Sequence, residues 1–294
     1  MVFKIGLIGL DTSHVEIFTK LLYEDKSNFY CNIKIVIGYP CPSPDLTLSK
    51  TRVDEYTSVL NKEYGVEIAK SIEEVAEKSD AIFITAMDGR KHLDIFKKLL
   101  PYKIPVFIDK PLTITENDAK EIFTWSETYN TPVMSSSALR YSDSLTTLLQ
   151  NEKEKPTSVY LNGPLPFIEH IPYYSWYGIH MVEMLFTVFG SNYTQLSVQG
   201  NEHNDVITAE WEDGQFGVIR GVHVWHSKFE ALFHYPTRTV HLPIYKDKKS
   251  YYALLLKKII TFCKTGQSPI PKEETLSIIR FIEEANAKRA KLIM

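Results

Sequence analysis

Lys4-Ile5-Gly6-Leu7-Ile8-Gly9-Leu10-Asp11-Thr12-Ser13-His14 is the stretch whose reading decides the fold. Val2–Gly9 is a short apolar run of the buried-strand type. Val15–Glu24 then carries Val15, Phe18, Leu21 and Leu22 at helical spacing. A strand, a glycine and a helix in that order form the usual G-x-G-x-x-G turn of a dinucleotide site. There the first glycine makes the turn, the second admits the pyrophosphate and the third lets helix and strand pack closely. Only Gly9 fits that pattern, because Asp11 takes the second glycine position and His14 the third. A carboxylate at the point of closest approach repels a pyrophosphate unless its side chain turns away. Ser13 and Glu16 fit a capping box, and the amides such a box leaves at the helix start also suit a phosphate. The turn therefore has two readings, a capped helix and a phosphate site.

Outward from this turn, strand and helix patterns alternate. Ile33–Gly38, Val66–Ala69, Ala81–Ala86, Val106–Asp109 and Pro132–Ser136 read as strands. Asp54–Tyr64, Ile72–Lys78, Lys91–Leu100 and Glu116–Tyr129 read as helices. Such alternation implies right-handed crossovers and a parallel sheet covered on both faces. After about Arg140 the rhythm changes, and Asn151–Pro156 marks a joint. One long helix is expected over Tyr173–Phe189. Strands follow at Gln195–Gln199, Val206–Trp211, Gln215–Trp225, Phe229–Tyr235 and Arg238–Ile244, with Asp213-Gly214 as a hairpin turn. Helices at Tyr251–Lys264 and Glu273–Ala290 close the chain. The fold class is α/β: a Rossmann-like parallel-sheet domain over residues 1–140, then an α+β domain with a mostly antiparallel sheet over 141–294.

Composition narrows the function. The chain has 294 residues and 13 glycines, fewer than average usage of about 7 % predicts, so Gly-rich and collagen-like classes are excluded. A net charge of −3 with no basic run argues against a nucleic-acid binder. Residues 5–10 are apolar, but Asp11 follows at once, so no secretory signal is read, and no apolar run is long enough to span a bilayer. Cys31, Cys41 and Cys263 form no CxxC pair, and a reducing cytoplasmic location is expected.

Other segments add a resemblance. Ile108-Asp109-Lys110-Pro111-Leu112 resembles the Glu-Lys-Pro motif of the glucose–fructose oxidoreductase, inositol dehydrogenase and MocA family. Lys4–Gly9 is similar to that family's first strand. His92, Arg140, Gly178-Ile179-His180-Met181-Val182-Glu183 and Glu283-Glu284-Ala285 match further family positions in the right order. The resemblance implies a nucleotide domain, a substrate domain, and hydride transfer between a nicotinamide, NAD or NADP, and a hydroxyl of a sugar, cyclitol or similar small polyol. It also implies that Lys110 is the positioning cation and His180 the acid/base. Cofactor contacts are expected from Gly9, Asp11, Thr12, Ser13, His14, His92, Asp109 and Lys110.

The residues themselves bear on that chemistry. Histidine suits proton exchange with a hydroxyl, because its unperturbed pKa is about 6.5. Trp176 stands one helical turn before His180, where the family often has an aspartate, and Glu183 lies three residues after it, within reach to orient the ring. Lys110 sits at a strand's carboxyl end, where open α/β sheets bind ligands, and Pro111 is placed for a cis bond that directs it. The second strand ends in Gly38-Tyr39-Pro40 without the acid that an NAD ribose favours. The nearest is Asp45, and Lys50 and Arg52 come later, so NAD and NADP both stand.

Arg140, Trp176, Tyr177 and Glu183 are candidate substrate contacts, although the aromatics suit a domain interface as well. No metal site is expected: on one strand His223 and His226 would face opposite sides. Ser135-Ser136-Ser137 lacks a nucleophile elbow, so no hydrolase is read. The missing glycines, the missing ribose acid and Trp176 motivate the alternative to an oxidoreductase, a non-catalytic relative that binds a ligand or partner. A sheet face bare of helices in the second domain predicts a homo-oligomer.

Overall fold

The apolar runs of the first half become one parallel sheet in the computed structural model, which describes residues 2–24 and 29–292. Its strands are β1 (Phe3–Ile8), β2 (Ile33–Tyr39), β3 (Glu67–Ile68), β4 (Ala81–Ile84), β5 (Val106–Asp109) and β6 (Val133–Ser136), in the order β3-β2-β1-β4-β5-β6. All pairings are parallel. Connections from β1 run outward to β2 on one side, while β4 lies on the other. The carboxyl end of β1 is therefore the switch point where such sheets open a crevice. Strand β4 and strand β5 are buried throughout, as strands covered on both faces must be. Helix α1 (Ser13–Glu24) lays Val15, Phe18 and Leu22 on the sheet, and Phe18 meets Phe83 and Phe107 edge-on at 6.1 and 6.4 Å.

Helices α2 (Thr47–Tyr64), α3 (Ile72–Glu77), α4 (His92–Leu99) and α5 (Glu116–Tyr129) link these strands. Helix α2 starts seven residues before its expected Asp54, since the polar Thr47–Thr51 turn has weak apolar periodicity. By contact, the first unit comprises Met1–Thr113, Asn117–Ser136 and a late return, Leu256–Ile270. The second comprises Ile114–Glu116, Ser137–Leu255 and Pro271–Met294.

The second unit opens on α6 (Asp143–Asn151) and β7 (Ser158–Pro164), neither read from the sequence. Strand β7 is central. Its sheet runs β12-β11-β7-β10-β9-β8, built from β8 (Tyr193–Gly200), β9 (Asn204–Trp211), β10 (Phe216–Val222), β11 (Glu230–His234) and β12 (Thr239–Leu242). Strands β7 and β10 pair in parallel and every other pair is antiparallel, so the sheet is mixed. The β9–β10 turn places Gly214 at φ +78°, which suits glycine at the hairpin.

The helix expected over Tyr173–Phe189 is two helices, α7 (Tyr173–Trp176) and α8 (Gly178–Phe189), parted at Tyr177. Two grips hold α7 apart: Asn286 Oδ1 accepts the Tyr174 N–H at 2.9 Å, and Asp205 Oδ2 accepts the Tyr174 hydroxyl at 2.8 Å. Helix α8 crosses β7 and β10, while α9 (Tyr251–Thr265) and α10 (Lys272–Ala290) close the chain. Phe186 of α8 packs edge-on against Trp211 and Phe281 at 5.8 and 5.6 Å, fixing helix, strand and α10 together. Strand β10 ends at Val222, so His223 and His226 lie beyond it and no strand face separates them.

Candidate functional site

The first cluster lies at the carboxyl ends of β1, β4 and β5. Gly9 has φ +92°, and a Cβ there would sit 2.2 Å from the Ala86 backbone nitrogen. The turn therefore requires glycine on both conformational and steric grounds. Asp11, the residue whose charge opposes a pyrophosphate, is fully buried and faces inward. Its Oδ2 accepts the Ser49 hydroxyl at 2.6 Å and its Oδ1 accepts the Met87 N–H at 3.0 Å. Burial pushes its carboxyl pKa up, against the lowering effect of those two bonds.

Helix α1 starts at Ser13, so Ser13 is the first helical residue and not the cap. Thr12 takes the cap position, with its carbonyl 3.3 Å from the Val15 N–H and its hydroxyl 3.5 Å from the His14 N–H. The Ser13–Glu16 capping box is thus replaced by a cap one residue upstream. Thr12 and Ser13 remain half-exposed at the helix start, where amide dipoles favour an anion.

His14 stands at the third glycine position and reaches from α1 to β5. Its Nδ1 is 2.5 Å from Asp109 Oδ2, and both side chains are buried. Asp109 Oδ1 accepts the Lys110 N–H at 2.9 Å. Burial raises the Asp109 carboxyl pKa, but the charge and hydrogen bond of His14, joined by Lys110, reverse this and hold it below the usual carboxylate range. Lys110 is half-buried, and its bond to Pro111 is cis. His92 is fully buried, with Nδ1 2.9 Å from the Pro111 carbonyl and Nε2 2.8 Å from the Ala86 carbonyl. Its ring thus ties the loop after β4 to the loop after β5.

Beyond β2, the segment Pro40–Leu46 is braced by charge. Ser43 Oγ donates to Asp88 Oδ2 at 2.8 Å, and Arg90 bridges Asp88 and Asp45 at 2.8 Å each. Ser49 Oγ accepts the Ser43 N–H at 2.9 Å, so Asp11 and this loop share one anchor. None of Ser43, Ser49 or Asp88 was expected. The S-x-x-x-x-x-S spacing carries no motif, and only the inward turn of Asp11 reveals its use.

The second cluster lies wholly in the second unit. His180 on α8 is 7 % exposed, and its Nδ1 lies 2.7 Å from Ser137 Oγ. Tyr177 and Phe229 meet the imidazole edge-on at 5.3 and 5.9 Å. Glu183, one turn further along α8, uses Oε1 to accept the Ser137 N–H at 2.7 Å and Oε2 to accept Arg140 Nε at 2.9 Å. Arg140 also pairs with Glu274 at 2.6 Å and is buried, so its guanidinium faces carboxylates of its own chain. Those carboxylates outweigh burial, which lowers its pKa, and keep it raised. Trp176 packs on Tyr177 at 4.8 Å, and Tyr177 Oη accepts the indole N–H of the exposed Trp225 at 2.7 Å. In the sequence Ser137 stands out only as the end of a serine run without a nucleophile elbow; the signal for its role is its place just past β6, three residues before Arg140. Among the described residues no group of three or more His, Cys, Asp or Glu is placed to hold a metal ion, and no helix is long and apolar enough to cross a membrane.

A parallel sheet with a glycine turn at its switch point, followed by a mixed-sheet unit, defines the class: a two-unit α/β chain whose first unit is Rossmann-like. The comparisons carry this further. Residues 49–136 match the family described as oxidoreductase family, NAD-binding Rossmann fold, and the resemblance to the glucose–fructose oxidoreductase, inositol dehydrogenase and MocA proteins is borne out. Myo-inositol 2-dehydrogenase from Lactobacillus plantarum is similar in structure, with a TM-score of 0.80 at 14 % identity over 99 % of this chain and 98 % of that one. UDP-N-acetylglucosamine 3-dehydrogenase GnnA from Acidithiobacillus ferrooxidans gives 0.79 at 10 % identity over 98 % of each chain. GenD2 from gentamicin A biosynthesis, solved in complex with NAD, gives 0.77 at 9 % identity over 98 % of this chain and 94 % of that one. At such identities the likeness is one of fold. No curated protein matches the chain.

Proposed function

We propose that the chain is an NAD(P)-dependent oxidoreductase that exchanges hydride with a hydroxyl of a sugar, cyclitol or similar small polyol. One observation carries this reading: the carboxylate at the second fingerprint position is buried and turned into Ser49 and the Met87 amide. The turn around it keeps its obligatory glycine and an open helix start. The residues present thus fit the pyrophosphate end of a dinucleotide, held by the Gly9–Ser13 turn and the N-terminus of α1. At the ribose end no acid closes β2, and Asp45 is paired with Arg90. Asp45 is then a weak ribose anchor, and this end of the site accommodates NAD or NADP.

A bound nicotinamide supplies the hydride acceptor or donor. The chain's own part is to hold the substrate hydroxyl and its proton. Lys110, fixed at its backbone by Asp109, offers a cation that orients the hydroxyl. His180 takes or returns the proton. A second reading, a binding relative without turnover, draws on Trp176 in place of the usual aspartate. Calorimetric titration with NAD(H) and NADP(H), followed by a polyol screen on the cofactor that binds, separates the two. No heat at millimolar cofactor ends the first reading. Turnover that disappears in Lys110→Ala ends the second.

The outer face of the second sheet supports a homo-oligomer. Tyr160, Asn162, Val218, Arg220, Leu232 and His241 line two shallow depressions of about 330 and 340 Å³ on it. These mixed apolar and polar side chains suit burial against a second copy.

A further inference from the structure

We infer that Ser137 is the positioning residue of His180: its hydroxyl oxygen accepts the ring's Nδ1–H and leaves Nε2 as the nitrogen that exchanges the substrate proton. The inference rests on the reading of His180 as the acid/base and extends it to how the ring is held.

Neutral imidazole carries one proton, and the partner of one nitrogen decides which nitrogen stays basic. Ser137 Oγ lies 2.7 Å from Nδ1. If Nε2 accepts the substrate proton, Nδ1 keeps its own proton both before and after the transfer. The serine oxygen then accepts in both states, and nothing in the pair has to turn over. A carboxylate in that place would add a full negative charge beside the ring. A hydroxyl can accept from that Nδ1–H without adding a charge, and Trp176 stands where the family often has an aspartate.

The serine is itself held at three points. Its oxygen also accepts the Leu139 N–H at 3.3 Å, as the cap of the short 3-10 turn Ala138–Tyr141. Its own N–H donates to Glu183 Oε1 at 2.7 Å, and Glu183 is tied to Arg140, which is tied to Glu274. His180 and Glu183 are three residues apart on one face of α8. One helix face therefore grips Ser137 twice, by side chain and by backbone. Glu183 and Arg140 act on His180 through this grip. Tyr177 and Phe229 both pack edge-on to the ring and restrict its plane, so the hydrogen bond sets the remaining freedom, which is the proton's place.

The test reads the proton directly. Long-range proton–nitrogen NMR of 15N-histidine-labelled protein, assigned with His180→Gln, reports the His180 tautomer without cofactor or substrate. The wild type is expected to show the Nδ1–H form. Ser137→Thr should keep it, and Ser137→Ala should show the Nε2–H form or a mixture. In the assay for polyol oxidation, Ser137→Ala should lose at least about tenfold in kcat with KM little changed, and Ser137→Thr should recover most of it. An Nε2–H wild type, or a tautomer unchanged in a folded Ser137→Ala, overturns the inference. If Ser137→Ala does not fold, the wild-type and Ser137→Thr spectra decide alone. An Nδ1–H wild type without turnover on any polyol keeps the positioning role and removes the oxidoreductase reading. An Nε2–H wild type with turnover does the reverse.

Discussion

His14→Leu removes the imidazole from a carboxylate that stays buried. Asp109 is 4 % exposed, and its Oδ2 is 2.5 Å from His14 Nδ1. Breaking a buried pair from one side leaves an uncompensated charge and costs about 3–5 kcal/mol. Asp109 keeps the Lys110 N–H at 2.9 Å, so the lower end, about 3 kcal/mol, is expected. Asp109→Asn with His14 in place removes the charge and leaves a neutral pair, at about 1 kcal/mol. The double variant should then fall short of the sum of the two by about 1.5 kcal/mol or more, because His14 has no charge left to balance. At about 2–4 °C per kcal/mol for a domain of this size, His14→Leu lowers the melting of the first unit by about 6–12 °C.

The pH dependence adds a second readout for the same pair. The folded Asp109 has its pKa held below the ordinary value, with burial opposing and His14 prevailing. Its stabilisation is therefore present above the ordinary carboxylate pKa and lost as pH falls through the folded value. His14→Leu should flatten that acid limb. Urea titrations of all four proteins near neutral pH, with melts of wild type and His14→Leu down to about pH 3, measure both effects. A coupling below about 0.5 kcal/mol, or an acid limb equally steep without His14, refutes the view that His14 is a strut between α1 and β5.

Gly9→Ala forces a side chain into φ +92° with its Cβ 2.2 Å from the Ala86 nitrogen. It should lose more than about 2 kcal/mol in urea titration and any dinucleotide binding with it. Val218→Asp, on the outer sheet face, should turn a wild-type oligomer into a monomer by light scattering while the melting of the monomer is unchanged; a monomeric wild type at micromolar concentration overturns the pairing. Tyr174→Phe removes a hydroxyl that donates to the buried Asp205 at 2.8 Å, yet Arg289 remains on the same oxygen at 2.7 Å. The expected loss is about 1–2 kcal/mol in urea, and a change within error would show that Arg289 alone satisfies the carboxylate.

The parallel sheet was legible because its central strands are buried on both faces and read as largely apolar runs: no residue of Ala81–Ile84 or Val106–Asp109 is exposed to blur them. Strand β7 was not, because Ser158, Tyr160 and Asn162 face outward and follow directly on the charged segment taken for a joint. Helix α6 escaped for a similar reason, since Leu145 is its one fully buried side chain. The break at Tyr177 was hidden because its cause is distant in sequence: Asn286 and Asp205 hold Tyr174 from α10 and β9. Within the candidate site, residue types at motif positions could be read, but hydrogen-bond partners could not. Glu183 was within helical reach of His180, yet its oxygens accept from Ser137 and Arg140.

The glycine-poor turn shows why a motif count misjudges such a site. A fingerprint glycine serves to leave a volume empty or a backbone angle accessible, and each position here meets a different demand. Gly9 is irreplaceable on both grounds. At the second position the requirement is that nothing charged faces the ligand. Asp11 meets it by turning its carboxylate into Ser49 and the Met87 amide, at the price of burying a carboxyl whose pKa is pushed up. At the third position the requirement is close helix–strand approach, and His14 replaces approach with a bridge to Asp109. That bridge ends on the residue next to Lys110. The helix that opens the turn proposed to hold a dinucleotide and the lysine proposed to orient the substrate are therefore joined through two side chains, a coupling that the three-glycine form of the motif lacks at this position.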